Sequence, residues 1–370
     1  MSSEDERFCA AALANFQWYY AKNMLGLIDI PICIIGVIFN IFNMLVFTRR
    51  NMKSPVNLIF TYLSFANLLQ LLAFITVTWA YLAYLSEPPT YEDWTYTRAS
   101  FSMLSEELLN ISKRISVYIT MMLAIWKYIA VFYPSKESQW CNMKTTRYTL
   151  VAGYIICILF VIPEYMSHYI KPETAETKNQ TITTYKYEKI KTDSIMHSAS
   201  QFIKIVLHEL LPSLVLPILG VRLIATLWMK KEHPTPSSNV ENRTDNAKTN
   251  QQTNRSIIIS MIIVAQCLSY AIPLGLLRIA GRMAIKLDLS SADITNYLNC
   301  HYSIQVILSL LDCVNKSINF IVYYTMDQDF RATFKSLFNK NNASFWKLKY
   351  VRSSSTRGND ESLEIDRCDI

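Results

Sequence analysis

An ionisable side chain inside a lipid bilayer is costly, and by default it marks a ligand, ion or relay site with a partner on a neighbouring helix. In this chain the acids that bear on the point are Glu106, Glu107 and Asp312, each set in an otherwise apolar run. Glu106 or Glu107, Asn110, and Lys113 or Arg114 recur at helical spacing and share one stripe. Asp312 lies two turns before Asn319 on another run. Lining one cavity, these groups can take a cationic ligand through a charge-assisted, bidentate contact, with the aromatics Trp79, Tyr81 and Tyr84 to receive a ring. Alternatively the acids neutralise Lys113 and Arg114 between helices, because buried charges persist when paired. The residues leave both readings open.

Other polar groups suggest structure rather than catalysis. Asn40, Asn67, Asn315 and Asn319 fall within apolar runs and suit interhelical hydrogen bonding, each bond contributing about 0.6 kcal/mol. His168, His197, His208, His233 and His301 show no metal spacing, and no Ser-His-acid set or Gly-rich phosphate loop is present. Glu209 beside His208 reads as an interior polar contact. The eight cysteines form no Cys-x-x-Cys pair and no Cys/His cluster. No enzyme, cofactor or metal is expected.

These residues need elements to hold them, and composition says which. Half of the 370 residues are hydrophobic and 18% are charged, below the roughly 25% of soluble proteins. The apolar residues gather in runs of about 20 or more, the length that crosses a bilayer as a helix. Seven runs result: Leu27 to Thr48, Val56 to Tyr84, Ser100 to Tyr133, Tyr148 to Tyr169, Ser200 to Met229, Ile257 to Arg282 and Tyr297 to Thr325. Run three is the weakest by hydropathy because its polar stripe interrupts it. A lipid-exposed backbone must satisfy its own hydrogen bonds, so Pro31, Pro163, Pro212, Pro217 and Pro273 are expected as kinks in helices.

The net charge of +7 is spread between the runs rather than gathered on one basic face, which argues against a nucleic-acid partner. The acidic start at Glu4, Asp5 and Glu6 lacks the pattern of a cleavable signal, so span one serves as an uncleaved anchor. With the N-terminus outside, basic residues of the short loops are in excess on the cytoplasmic side. The expected organisation is an extracellular segment 1–26, a bundle 27–325, an amphipathic membrane-surface helix 326–340 and a disordered tail 341–370. Phe330, Phe334, Leu337 and Phe338, with Arg331 and Lys335 between them, give that surface helix its faces. Asn179-Gln180-Thr181 is a glycosylation sequon in the second outside loop.

Seven spans with an outside N-terminus and a following amphipathic helix resemble rhodopsin-like G-protein-coupled receptors, and local motifs carry the likeness through nearly the whole bundle. Asn40 stands nine residues before Arg49, as the family's asparagine does, with Asn43 a second fit. Leu63-Ser64-Phe65-Ala66-Asn67 is similar to Leu-Ala-x-Ala-Asp, with a neutral amide that offers no charge to the family's sodium ion. Trp126-Lys127-Tyr128-Ile129-Ala130-Val131 resembles Asp-Arg-Tyr-x-Ala-Val. Lys127 keeps the charge but loses the planar fork of arginine. Asn319-Phe320-Ile321-Val322-Tyr323 resembles Asn-Pro-x-x-Tyr, and Phe330-Arg331 follows at the family's distance. Ala271 takes the span-six aromatic position and Gly153 that of the span-four Trp. These departures resemble the branch of FMRFamide-like, myosuppressin and sex-peptide receptors and the nematode serpentine class W chemoreceptors.

The resemblance implies an all-α seven-helix bundle in the plasma membrane, a receptor for an extracellular amidated, FMRFamide-like neuropeptide that signals to heterotrimeric G proteins, with arrestin and kinases at the tail. Ligand contact falls to Glu106, Glu107, Asn110, Asp312 and Trp79. Switching and coupling fall to Trp126, Lys127, Tyr128, Asn319, Tyr323, Asn40, Asn67 and Asn315. The family's outer disulfide has no counterpart, since Ser102 stands at its first position and the second outside loop holds no cysteine. Cys9 and Cys300, both expected outside, either pair with each other or remain free. Two further functions compete: a chemosensory receptor for a soluble small molecule, and a transporter or channel, which should show two related halves.

Overall fold

In a computed structural model, the described residues are 27–86, 95–166, 168–177, 180–189, 211–232, 262 and 291–338. Helix α1, Ile30–Phe47, follows a π-type turn and carries Pro31 in its first turn, where no intrahelical hydrogen bond is lost. A 3₁₀ turn at Arg50–Met52 leads to α2, Pro55–Ser86. Helix α3, Tyr96–Phe132, is started by Thr95, whose side chain accepts a hydrogen bond from the Arg98 amide. Its 37 residues span about 55 Å, well beyond the hydrocarbon core. The short α4, Pro134–Trp140, leads to α5, Met143–Leu159, capped by Asn142 Oδ1 accepting from the Thr145 amide at 2.8 Å. Then come α6, Ile162–Tyr165, and a two-stranded antiparallel hairpin, β1 His168–Thr177 and β2 Gln180–Lys189. Helices α7, Leu211–Glu232, α8, Ser291–Met326, and α9, Gln328–Phe338, complete the described chain.

Spans one, two, three, four, five and seven thus correspond to α1, α2, α3, α5, α7 and α8. Of span six only Ile262 is described, helical and buried in the core. The fourth span needs correction. Its helix begins at Met143 and stops at Leu159, so Pro163 sits in the first turn of a new helix instead of kinking a continuous one. Pro31 likewise starts a helix, while Pro217 lies inside α7 as expected. The second loop is a hairpin, whose signal was the alternation Thr181, Thr183, Tyr185, Tyr187. Run three proves apolar enough to cross a membrane, together with α1 and α2, because its polar stripe occupies only the hairpin half.

The bundle is oily outside and small or polar within. On α1, Ile34, Ile35, Ile38, Ile41 and Leu45 are exposed, whereas Cys33, Gly36, Asn40 and Asn43 are buried. On α8, Leu311, Val314, Ile318 and Ile321 face out, whereas Asp312, Lys316 and Asn319 face in. Water would penalise that arrangement. A bilayer favours it, since small residues let backbones approach and polar groups find partners between helices.

Two close approaches fix the packing. A Cβ at Gly36 would collide with Ser317 Oγ of α8 and come within 2.8 Å of Leu71, so α1 and α8 meet where glycine permits. A Cβ at Gly153 would collide with the ring of Tyr118, whose hydroxyl donates to the Thr149 carbonyl at 3.1 Å. The larger core cluster, including Phe47, Met52, Phe60, Leu123, Tyr323 and Phe330, lies toward the α9 end, and a smaller one around Cys33, Leu71, Leu109 and Cys313 toward the hairpin end.

Candidate functional site

Helix α8 presents Asp312, Asn315, Lys316 and Asn319 at helical spacing, all buried. Lys316 is 2% exposed, and its Nζ donates to Ser116 Oγ of α3 at 2.7 Å while lying 3.8 Å from Asp312 Oδ1 one turn away. Asp312 Oδ2 accepts from Gln70 Nε2 of α2 at 2.6 Å. Ser116 Oγ in turn donates to Asn67 Oδ1 at 3.0 Å. One ion pair and three hydrogen bonds therefore tie α2, α3 and α8 together at mid-bundle. The positive charge beside the neutral Asn67 comes from the chain itself.

Sequence reasoning assigned Asp312 to Lys113 or Arg114 or to a ligand, and it missed Lys316, Gln70 and Ser116. The signal was present: Lys316 is the one lysine between 297 and 325 and stands four residues after Asp312.

Nearer the hairpin, Glu107 is buried and its Oε1 lies 3.4 Å from Nδ1 of His168, the first residue of β1. Glu106, Asn110 and Lys113 are half-buried on the same helix, and Arg114 is buried. The stripe thus divides, with Glu107 and Arg114 on the inner side and Glu106, Asn110 and Lys113 along its edge. Trp79 is 70% exposed on α2. The hairpin also packs against the start of α3, with the rings of Tyr96 and Tyr185 5.7 Å apart.

At the level of Lys316, Asn40 Nδ2 donates to the backbone carbonyls of Gly36 at 2.8 Å and Lys316 at 3.0 Å, which selects Asn40 over Asn43 as the bridge from span one to span seven. Tyr323 is buried among Phe47, Phe60 and Phe330, with ring centroids 4.9 to 5.6 Å apart. Phe320, at the proline position of the family's motif, stacks on Phe39 at 4.8 Å and meets Phe334 of α9 edge-on at 5.1 Å. Asp327 starts α9 by accepting from the amides of Asp329 and Phe330 at 3.0 and 3.2 Å, and Asn51 donates to Thr333 at 2.7 Å. Trp126 Nε1 donates to Thr146 Oγ1 at 3.0 Å, so the residue in place of the motif's acid ties α3 to α5. Tyr128 packs on Phe132 at 4.5 Å. Asn179, Cys9 and the side chain of Cys300 lie outside the described residues. Among the described residues, no three His, Cys, Asp or Glu side chains are grouped to hold a metal ion.

A bundle of long apolar helices with a buried polar cluster between its hairpin end and its aromatic-packed end, followed by the short amphipathic helix α9, has the architecture of a G-protein-coupled receptor. The chain belongs to the family described as serpentine type 7TM GPCR chemoreceptor Srw, whose model matches residues 27–341. It is therefore a multi-pass plasma-membrane protein. It is similar to the sex peptide receptor of Drosophila melanogaster, 22% identical over 330 residues that cover 86% of this chain and 73% of that receptor. It is also similar to the FMRFamide receptor of the same fly, 20% identical over 84% of this chain and 53% of that receptor. The sex peptide receptor-related protein 2 of Caenorhabditis elegans is 21% identical over 83% of this chain and 70% of that protein.

Proposed function

We propose that this receptor, with its N-terminus outside, binds an extracellular amidated peptide of the FMRFamide-like class and passes the signal to a heterotrimeric G protein, with arrestin and kinases acting on the tail. The observation that carries this reading is the buried Glu107 beside the hairpin. It is an acid at the hairpin end of α3, with an imidazole nitrogen of His168 3.4 Å away whose place a ligand cation can take. The arginine of an Arg-Phe-amide terminus offers two parallel donors to a carboxylate. The names of two relatives, a sex peptide receptor and an FMRFamide receptor, support a peptide ligand.

In this reading Glu106, Asn110 and Trp79 border the entrance, and Asp312 lies deeper with Lys316. Ligand entry shifts the population of bundle states through the Asp312–Lys316–Ser116–Asn67 relay. The response emerges where Trp126, Lys127, Tyr128, Asn319 and Tyr323 lie. A small-molecule chemosensory ligand is the second reading, favoured by the family's description as chemoreceptors.

The test is a calcium or cAMP assay in cells expressing the full chain, screened against amidated neuropeptides, then repeated with Glu107→Lys at matched surface expression. Losing a desolvated charge contact costs about 2–5 kcal/mol, so potency should fall by roughly 30-fold or more. Unchanged potency ends the ligand role of Glu107. Silence across a broad peptide library moves the assignment to a small molecule.

A further inference from the structure

Helices α1 and α8 run side by side and meet at three places. At the hairpin end the sulfurs of Cys33 and Cys313, 280 residues apart in sequence, lie 3.2 Å from each other. One turn beyond Cys313 on α8, Ser317 Oγ donates to the Cys313 carbonyl at 2.7 Å and lies 3.2 Å from the Ile32 carbonyl of α1, across the approach that Gly36 allows. Beyond that, Asn40 donates to the Lys316 carbonyl at 3.0 Å. Backbone-to-side-chain bonds on one side of the thiols and the packing of Leu71, Phe74 and Leu109 around them hold the two sulfurs in register. Both cysteines are buried, at 0% and 3% exposed.

We propose that Cys33 and Cys313 are a redox pair that closes to an interhelical disulfide, a reversible covalent staple between spans one and seven. A disulfide needs its sulfurs at about 2.0 Å, so the pair must close by roughly 1.2 Å. Prealignment supplies the high effective concentration that makes the second step intramolecular. The oxidant is hydrogen peroxide, an uncharged molecule small enough to enter a bundle that excludes larger reagents. One thiol sulfur attacks the peroxide O–O bond, becoming a sulfenic acid and releasing water. The second sulfur displaces the sulfenic oxygen, the S–S bond forms and a second water leaves. Two thiols are oxidised by two electrons, and one peroxide is reduced to two waters. A small thiol reverses the bond by exchange.

The staple clamps the half of α8 that carries Asp312 against α1, so the redox state bears on the same helix as the polar relay. The inference does not depend on the ligand or on G-protein coupling. It differs from a link between Cys9 and Cys300, which would join the N-terminal segment to span seven.

The test uses membranes from cells expressing the full chain, treated with graded hydrogen peroxide, blocked with N-ethylmaleimide in denaturant and digested without reduction. Mass spectrometry should find a Cys33–Cys313 linked peptide two hydrogens lighter than its parts, increasing several-fold with peroxide and vanishing on reduction. Recovery of both peptides as maleimide adducts at every dose overturns the proposal. Thiol counting on the intact chain with a maleimide polymer gives a second readout. Peroxide should consume two more thiols in the wild type than in Cys33→Ala/Cys313→Ala, and equal loss in both also overturns it.

Discussion

Replacing Lys316 with methionine keeps the length of the side chain but removes the ammonium that faces Asp312 and Ser116. Asp312 then keeps the Gln70 amide at 2.6 Å and loses a positive charge 3.8 Å away. At an effective dielectric of 20, that charge contributes about 4 kcal/mol at this distance. Breaking a buried pair by removing one partner costs about 3–5 kcal/mol in measured cases, in agreement. Removing both members, in Lys316→Met/Asp312→Leu, leaves no unpaired charge and should restore most of the loss. Thermal unfolding of the purified chain in nanodiscs, with surface expression in parallel, measures the cycle. Lys316→Met should be the less stable variant, and the coupling energy should exceed about 2 kcal/mol. Additivity within about 0.5 kcal/mol would refute it.

Two further outcomes follow from packing and capping. Gly153→Ala drives a methyl into the Tyr118 ring and should destabilise the α3–α5 contact by about 1–3 kcal/mol, with recovery in Gly153→Ala/Tyr118→Ala; thermal unfolding checks both. Asp327→Ala removes the acceptor at the start of α9 and should cost about 1 kcal/mol, seen as faster amide exchange in Gln328–Phe338 with the bundle unaffected.

The membrane bundle was legible because hydrophobic length is a physical requirement of the bilayer, and six of the seven runs meet described helices. Boundaries strayed where local chemistry overrode hydropathy. Asn142 starts α5 before the apolar run begins, and the hairpin takes over residues that simple counting gave to span four. The aromatic packing of Phe320 against Phe39 and Phe334 shows why phenylalanine fits there: it fills the space between α1, α8 and α9. Pairing was harder to read. Nothing in a one-dimensional pattern says that Asp312 meets Gln70, or that Lys316 crosses to Ser116, because those partners depend on how three helices rotate about their axes. The Cys33–Cys313 approach is hidden for the same reason, lying between residues at opposite ends of the sequence.

The central claim is that a ligand received at the hairpin end is transmitted through this bundle to a G protein. Its most direct test is guanine-nucleotide exchange on purified heterotrimeric G proteins by the full chain in nanodiscs, with an amidated peptide that binds it. Peptide-dependent exchange above the basal rate is expected on at least one G-protein class. Saturating peptide binding with no exchange on any class would contradict it.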